Sequence, residues 1–351
     1  MKSSVATTMN SNIQDYIDLV RSGKIEVCKE QVLLCEYVEK CFSAEPIRVD
    51  EEHLQKYFPF QLFEWERFCF ALHNCVYKEN GQLRWPDLFI LVGRGAGKNG
   101  YLSFEDFCLL TPINGVRNYH IDICANSEDQ AKTSFNDIYE VLEEHKAKLK
   151  NHFRWKKEEI RNLKTGSILK FRTSNFKTKD GGRPGKVDFD EYHQYENYKS
   201  IEVFKTGLGK KAYPRTTVTT TNGDVRDGPL DHLIARSEQI LKGEIPDNGL
   251  LPFICRLDEV HRKSAWAKAN PSLPYNPTLM EEMEREYIDY LQDNIGNASF
   301  MTKRMNIPQG DKEAEVTSWE NILATNRQVP NLEGYTCVFG IDYAKTTDFV
   351  S

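Results

Sequence analysis

The sequence predicts an α/β fold with a mostly parallel central sheet flanked by helices. Three observations carry that expectation. Short apolar or β-branched runs alternate with helical segments. The run Leu88 to Val92 passes through a glycine-rich turn into a helix reaching Leu110. A second run, Tyr119 to Ala125, is followed by Ser127 and a helix whose Ser127/Gln130 pair reads as a capping box.

In chain order, helical spacing of Ile13, Tyr16, Ile17 and Val20, repeated by Val32, Leu33, Tyr37 and Val38, predicts helix from about Asn12 to Phe42. A charged connector, Arg48 to Lys56, leads to an aromatic and then helical stretch, Tyr57 to Tyr77. After the two strand–helix units, "EIRNLKTGSILKFRTSN" predicts a hairpin turning at Thr165-Gly166. "KVDFDEYHQ" predicts a short strand ending in acids, and "RTTVTTTNG", Arg215 to Gly223, a strand ending in a turn. Helices and connectors are expected to about Pro330, and a last strand in "YTCVFGIDYAKTTDFVS".

Composition narrows the class. The 351 residues suffice for one large domain with appendages or for two domains. Hydrophobic residues are 40% of the chain, charged residues 28%, and mean hydropathy is -0.58. These values suit a soluble protein with a sizeable core and no membrane association. No apolar stretch spans a bilayer, and the N-terminus lacks the apolar core of a signal peptide. Nine scattered cysteines without a CxxC pair argue for free thiols rather than a disulfide framework or structural zinc. The net charge of -6 gives no general nucleic-acid coat, but the segment from His145 to Lys164 is locally basic. Taken alone, such a run is more often a solvated face.

The chemistry begins at Gly93-Arg94-Gly95-Ala96-Gly97-Lys98-Asn99. Glycines between a strand and a helix let backbone N–H groups close on a polyphosphate, and a lysine reaches its outer phosphates. The loop departs from the usual pattern twice. Gly93 and Gly97 bracket three residues instead of four, and Asn99 stands where a Ser or Thr hydroxyl normally meets Mg²⁺. Downstream, the apolar strand ending in Asp190-Glu191 supplies the expected acids, Asp190 for the metal and Glu191 as general base. Thr219, Thr220, Thr221 and Asn222 fall at the carboxyl end of the next strand, where α/β sheets bind ligands and short polar groups can sense a γ-phosphate.

These segments together resemble the large terminase subunit of tailed bacteriophages, of the type found in siphovirus-like prophages. "FPFQLFEWERF" resembles the family's adenine-binding segment, with Gln61 in the glutamine position. "VGRGAGKN" resembles its deviant Walker A loop with an early arginine, Arg94, and "VDFDEYHQ" its Walker B strand, including His193. "TTTNG" resembles the coupling motif, and "WAKANPSL" and "MTKRMNIPQ" the linker beyond the ATPase core. The final "VFGIDYAKTTDFVS" resembles the first strand of the RNase H-like nuclease domain.

The resemblance implies a P-loop NTPase fold of the ASCE type with a helical N-terminal appendage over residues 1–45. The ATPase core would span 46–245, a linker or lid 246–330, and the start of a nuclease domain 331–351. It implies ATP and Mg²⁺ at Gln61, Gly93 to Asn99, Thr221 and Asn222, with Asp190 and Asn99 toward the metal. It implies Arg183 as a trans-acting arginine, and Asp342, followed by Asp348, at an incomplete nuclease site for Mg²⁺ or Mn²⁺. Implied partners are double-stranded DNA, a small terminase subunit, a portal protein and a homo-oligomeric ring, the isolated chain being a monomer. Implied location is the host cytoplasm at the procapsid portal, and not the mature virion. Lys148, Lys150, Lys156 and Lys157 are candidates to grip DNA phosphates. A helicase-like DNA-dependent ATPase and a nucleotide-binding scaffold with little turnover remain alternatives.

Overall fold

A computed structural model describes residues 9–57, 61–173, 183–258, 262–308, 323–324 and 333–334. By contacts the chain divides into residues 1–309 and 310–351. The carboxyl-terminal strand expected to carry Asp342 and Asp348 lies outside the described residues.

The first unit begins with helices α1 (Ser11–Arg21) and α2 (Lys29–Ala44). The sequence predicts a helical stretch here, and the structure makes it two helices. The chain breaks it at Ser22 and Gly23, the glycine taking a left-handed φ of 67°. Strand β1 (Ile47–Val49), α3 (Glu51–Tyr57), α4 (Glu64–Cys75) and β2 (Val76–Lys78) follow, β1 pairing with β2. Strand β3 (Asp87–Leu91) leads to α5 (Lys98–Leu110), and β4 (His120–Ala125) to α6 (Glu128–Glu144). Ser127 Oγ accepts the Gln130 N–H at 3.3 Å, the expected cap. Next come α7 (Lys146–Leu149), β5 (Phe153–Lys156), β6 (Glu159–Asn162), β7 (Ile168–Thr173) and β8 (Pro184–Phe189). The unit closes with α8 (Lys199–Lys205), β9 (Arg215–Thr220), α9 (Pro229–Leu241), β10 (Leu250–Ile254) and α10 (Pro277–Gln292).

Eight strands form one sheet in the order β10-β3-β9-β8-β4-β7-β6-β5. The first six run parallel, and β6 and β5 extend them antiparallel. The expected hairpin at Thr165-Gly166 joins β6 to β7, with Gly166 at φ 74°. The basic stretch forms a second hairpin, β5–β6, in which Lys156 and Lys157 are exposed. Strand β10 is absent from the sequence expectation, which places only helices and connectors between Gly223 and about Pro330. It sits at the sheet edge beside β3 and carries Pro252, which an edge position tolerates because only one flank needs ladder hydrogen bonds.

Strands β8 and β9 are buried along their whole length, as a parallel sheet covered on both faces requires. On one face Trp65, Phe68 and Phe70 of α4 join Ile13, Tyr16 and Ile17 of α1 and Phe253 of β10 in a single core. The N-terminal helices therefore share the core of the sheet. The eight described cysteines are free and buried, and among the described residues no helix is long and apolar enough to cross a membrane.

Candidate active site at the phosphate loop

The glycine loop leaves the carboxyl end of β3 and enters α5 at Lys98, the context the sequence predicts. Gly95 and Gly97 take φ values of 89° and 101°, a region closed to most side chains. Gly97 caps α5, and the first intrahelical bond runs from Tyr101 N–H to Gly97 O at 3.0 Å. The N–H groups of Lys98, Asn99 and Gly100 thus precede the first helical acceptor and form an anion-binding end.

Lys98 is 7% exposed. Burial lowers its pKa, and the charges of Glu191 and Asp190 oppose that shift, so the ammonium faces both acids. Strand β9 alone separates β3 from β8, which puts the loop and the acid pair about 10 Å apart across the sheet. The sequence correctly places both at the carboxyl edge.

Asp190 accepts the Thr219 hydroxyl at 2.8 Å and the Glu191 N–H at 2.9 Å through the same oxygen. Burial, then the charge of Glu191, raises its pKa to about 6. A buried carboxylate held by neutral donors beside a lysine suits a hard divalent cation, which takes one or two protein carboxylates and completes its shell from phosphate and water. Asn99 is half-buried at the second position of α5. Glu191 stands at φ 48° and ψ 46°, a strained setting for a non-glycine residue. Burial raises its pKa, but His193, Lys98 and Arg94 together prevail and lower it. His193 Nδ1 lies 3.1 Å from Glu191 Oε2 and 3.1 Å from the Thr220 hydroxyl. Gly223 packs on that imidazole, since a Cβ there would stand 2.6 Å from it.

The remaining predicted residues divide. Thr221 and Asn222 are buried beside the loop, but Asn222 is engaged by protein, its N–H donating to Asn306 Oδ1 at 2.9 Å and its Oδ1 accepting Arg226 at 3.0 Å. Arg94 is exposed at the loop. Gln61 is exposed two residues before Phe63, the N-cap of α4, whose ring approaches Gly97. Arg183 is exposed at the opposite end of β8 from Asp190, about 20 Å away at strand rise. The structure does not bring it to this chain's own loop.

Sequence reasoning misses the residues that hold the loop shut from the carboxyl-terminal side. Gly93 N–H donates to Ala269 O at 2.7 Å, and Arg94 N–H to Lys303 O at 2.8 Å. Ser272 donates to Ala96 O, and Asn270 and Arg304 both donate to Arg94 O. Arg304 is itself fixed by Glu282 and Glu286 of α10. It ends a single π-helical turn, Phe300–Arg304, an irregularity common at functional sites. The resemblance marks both segments as linker but names none of these side chains.

Behind the site, Lys186 of β8 lies fully buried, with Nζ 2.6 Å from Asp106, 2.8 Å from Glu105 and 2.8 Å from Asp188. This cluster bolts α5, which carries Lys98, to β8, which carries Asp190.

With that geometry in place, comparison with known proteins decides the family. The model of the terminase large subunit ATPase domain matches residues 64–239, half of the chain, and that of the terminase large subunit endonuclease domain matches 253–351. The chain belongs to the terminase large subunit family. Protein YmfN of Escherichia coli K12 is 25% identical over 179 residues, 49% of this chain and 39% of YmfN. The large terminase of bacteriophage HK97 superposes with a TM-score of 0.60 at 18% identity, over 74% of this chain and 55% of that one. The ATPase domain of a Thermus phage large terminase gives 0.37 at 14% identity, over 64% and 92%. The terminase chain thus shares the HK97 fold and spans just over half the length of the HK97 protein. The endonuclease match begins inside β10, so the segment that closes the phosphate loop falls within it.

Proposed function

We propose that this terminase chain binds and hydrolyses ATP at the loop Gly93–Lys98 and that the hydrolysis drives double-stranded DNA into a viral procapsid. The supporting observation is the buried Lys98 facing Asp190 and Glu191 across one strand. Lys98 and the free N–H groups of α5 would hold the outer phosphates. Asp190 and Asn99 would hold Mg²⁺, which supplies charge neutralisation at the transferring phosphoryl group. Glu191 would accept a proton from a water whose oxygen attacks the γ-phosphorus. The bond to the bridging oxygen breaks, ADP leaves, and phosphate carries the water oxygen. His193, on Glu191, positions that carboxylate. Thr219 holds Asp190.

DNA would be held by its phosphates without sequence reading, and the exposed Lys148, Lys150, Lys156 and Lys157 are the surface we assign to it. A neighbouring copy in a ring would supply an arginine, Arg183 being exposed and remote from its own loop. Portal and small subunit, and a place at the procapsid in the host cytoplasm, follow from the same reading. The test is Mg²⁺-dependent ATP turnover with and without linear duplex DNA, for the chain and for Lys98→Ala and Asn99→Thr. Turnover lost in Lys98→Ala and raised in Asn99→Thr supports the site. Turnover unchanged by Lys98→Ala refutes it.

A further inference from the structure

Glu66 lies outside the groups assigned above to phosphate, metal and water. It sits at the third position of α4, 4% exposed, and its Oε2 accepts the Phe63 N–H at 3.0 Å. Its other oxygen faces the phosphate loop. A Cβ placed on Gly97 would stand 3.1 Å from Glu66 Oε1 and 3.7 Å from the Phe63 ring. Phe63 in turn stacks on Tyr275 at 5.5 Å. The loop glycine is thus backed by a buried carboxyl, one residue from the lysine and helix end that would take the polyphosphate.

Among the described residues, the groups facing Glu66 provide no cation. Cys69 lies one turn along α4 and Tyr101 approaches from α5, and burial keeps both protonated at neutral pH. Lys98 is influenced by the charges of Glu191 and Asp190, and Glu66 is not among the groups that shift it. Arg67 of α4 pairs with Glu64. Tyr275 interacts with Glu64 as well.

Resting on the nucleotide reading above, we propose that Glu66 belongs to the nucleotide site and takes up a proton when a nucleoside polyphosphate occupies the loop. A polyphosphate brings several negative charges next to a carboxyl shielded from water, and like charges favour the protonated form. Burial already raises the Glu66 pKa to about 7, against the pull of the Phe63 N–H, so the group is poised where this added repulsion changes its charge at physiological pH. The sign follows. The bound state holds the proton more tightly than the free state, so affinity falls as pH rises through the free-state value. For a rise of about one pKa unit on binding, affinity drops roughly sixfold between pH 6.5 and 8.5, and roughly half a proton is taken up at pH 7.5.

The experiment is calorimetric titration of the full chain with MgADP at pH 7.5 in two buffers of different ionisation enthalpy, for the wild type and Glu66→Gln. Glutamine can still accept the Phe63 N–H, as caps of this kind require. Expected is proton uptake by the wild type that is largely lost in Glu66→Gln, with a flatter affinity–pH profile in the variant. Equal uptake by both chains overturns the proposal while leaving the nucleotide site standing. No MgADP binding by the wild type overturns the nucleotide reading and this proposal together. A second readout is independent of ligand: the melting temperature of Glu66→Gln relative to wild type should climb from pH 5 to 8, because only the wild type must ionise a buried acid. A difference that stays flat with pH also overturns the proposal.

Discussion

Replacing Lys186 with methionine removes one cation from beneath three carboxylates. Lys186 and its partners Glu105, Asp106 and Asp188 are all fully buried, at 2.6 to 2.8 Å from the ammonium. Breaking a buried ion pair by deleting one partner costs about 3–5 kcal/mol, because the other charge is left without compensation. Here the same deletion strands several acids. The loss is capped because they can neutralise: burial already raises the pKa of Asp106 and Asp188, whereas Lys186 helps hold Glu105 at about 2. We expect a loss near the upper end, about 4–5 kcal/mol at pH 8, a large part of the 5–15 kcal/mol typical of a folded domain. The pH sign is fixed by the same groups. Without the ammonium the folded pKa values of Asp106 and Asp188 rise further above the unfolded ones and Glu105 loses much of what holds it low, so the folded variant binds protons that the unfolded state releases. The deficit against wild type should therefore grow as pH rises from the unfolded carboxylate range and shrink toward pH 4. Urea unfolding of both chains at pH 5 and pH 8 measures it. A loss below about 1 kcal/mol at pH 8, or one independent of pH, would refute the reasoning.

Three further outcomes test the site. Gly93→Ala should lower stability by about 1–3 kcal/mol, since its Cβ would stand 2.4 Å from Arg304 O, a backbone atom that cannot rotate aside; an unshifted thermal midpoint would contradict the described packing of the Phe300–Arg304 turn. Asn306→Gly keeps the left-handed φ of 55° but deletes the amide that accepts from Asn222 N–H and donates to Cys255 O at 2.7 Å. Two buried backbone groups lose partners, and urea unfolding should show about 2–4 kcal/mol less stability; no change would mean water replaces the amide freely. His193→Ala should raise the Glu191 pKa, because the bond from His193 is the foremost influence lowering it. The acidic limb of the kcat/KM profile for ATP should then move to higher pH, and a profile that keeps its acidic limb would remove His193 from the mechanism.

The sequence made the phosphate loop and acid pair legible because both obey local rules. Glycines with positive φ must sit between strand and helix, and a buried strand ending in Asp190-Glu191 delivers its acids to the carboxyl edge of the sheet. Two local signals were present and overridden by a longer pattern. Ser22-Gly23 marks a helix end inside a stretch whose apolar spacing reads as helical on both sides. Pro252 argues against a strand, and only the edge position of β10 makes it acceptable. Other features have no local signature. Lys186 at a strand centre reads as a surface lysine until Glu105 and Asp106 arrive from a helix some eighty residues earlier in the chain. Arg304 reaches the loop at Arg94, 210 residues away, and Asn306 reaches Asn222, 84 residues away, which no periodicity reports. Glu66 looks like an ordinary capping-box acid, and nothing but the fold sets it against Gly97.

The central claim is that the loop and the acid pair form one hydrolytic site. The most direct test compares wild type and Glu191→Gln in two assays on the same preparation, MgATP binding and release of phosphate. Glu191→Gln should bind MgATP as wild type does while phosphate release falls by about 10²–10⁴-fold, the usual contribution of a general base. Phosphate release that survives the substitution at the wild-type rate would rule out Glu191 as the general base.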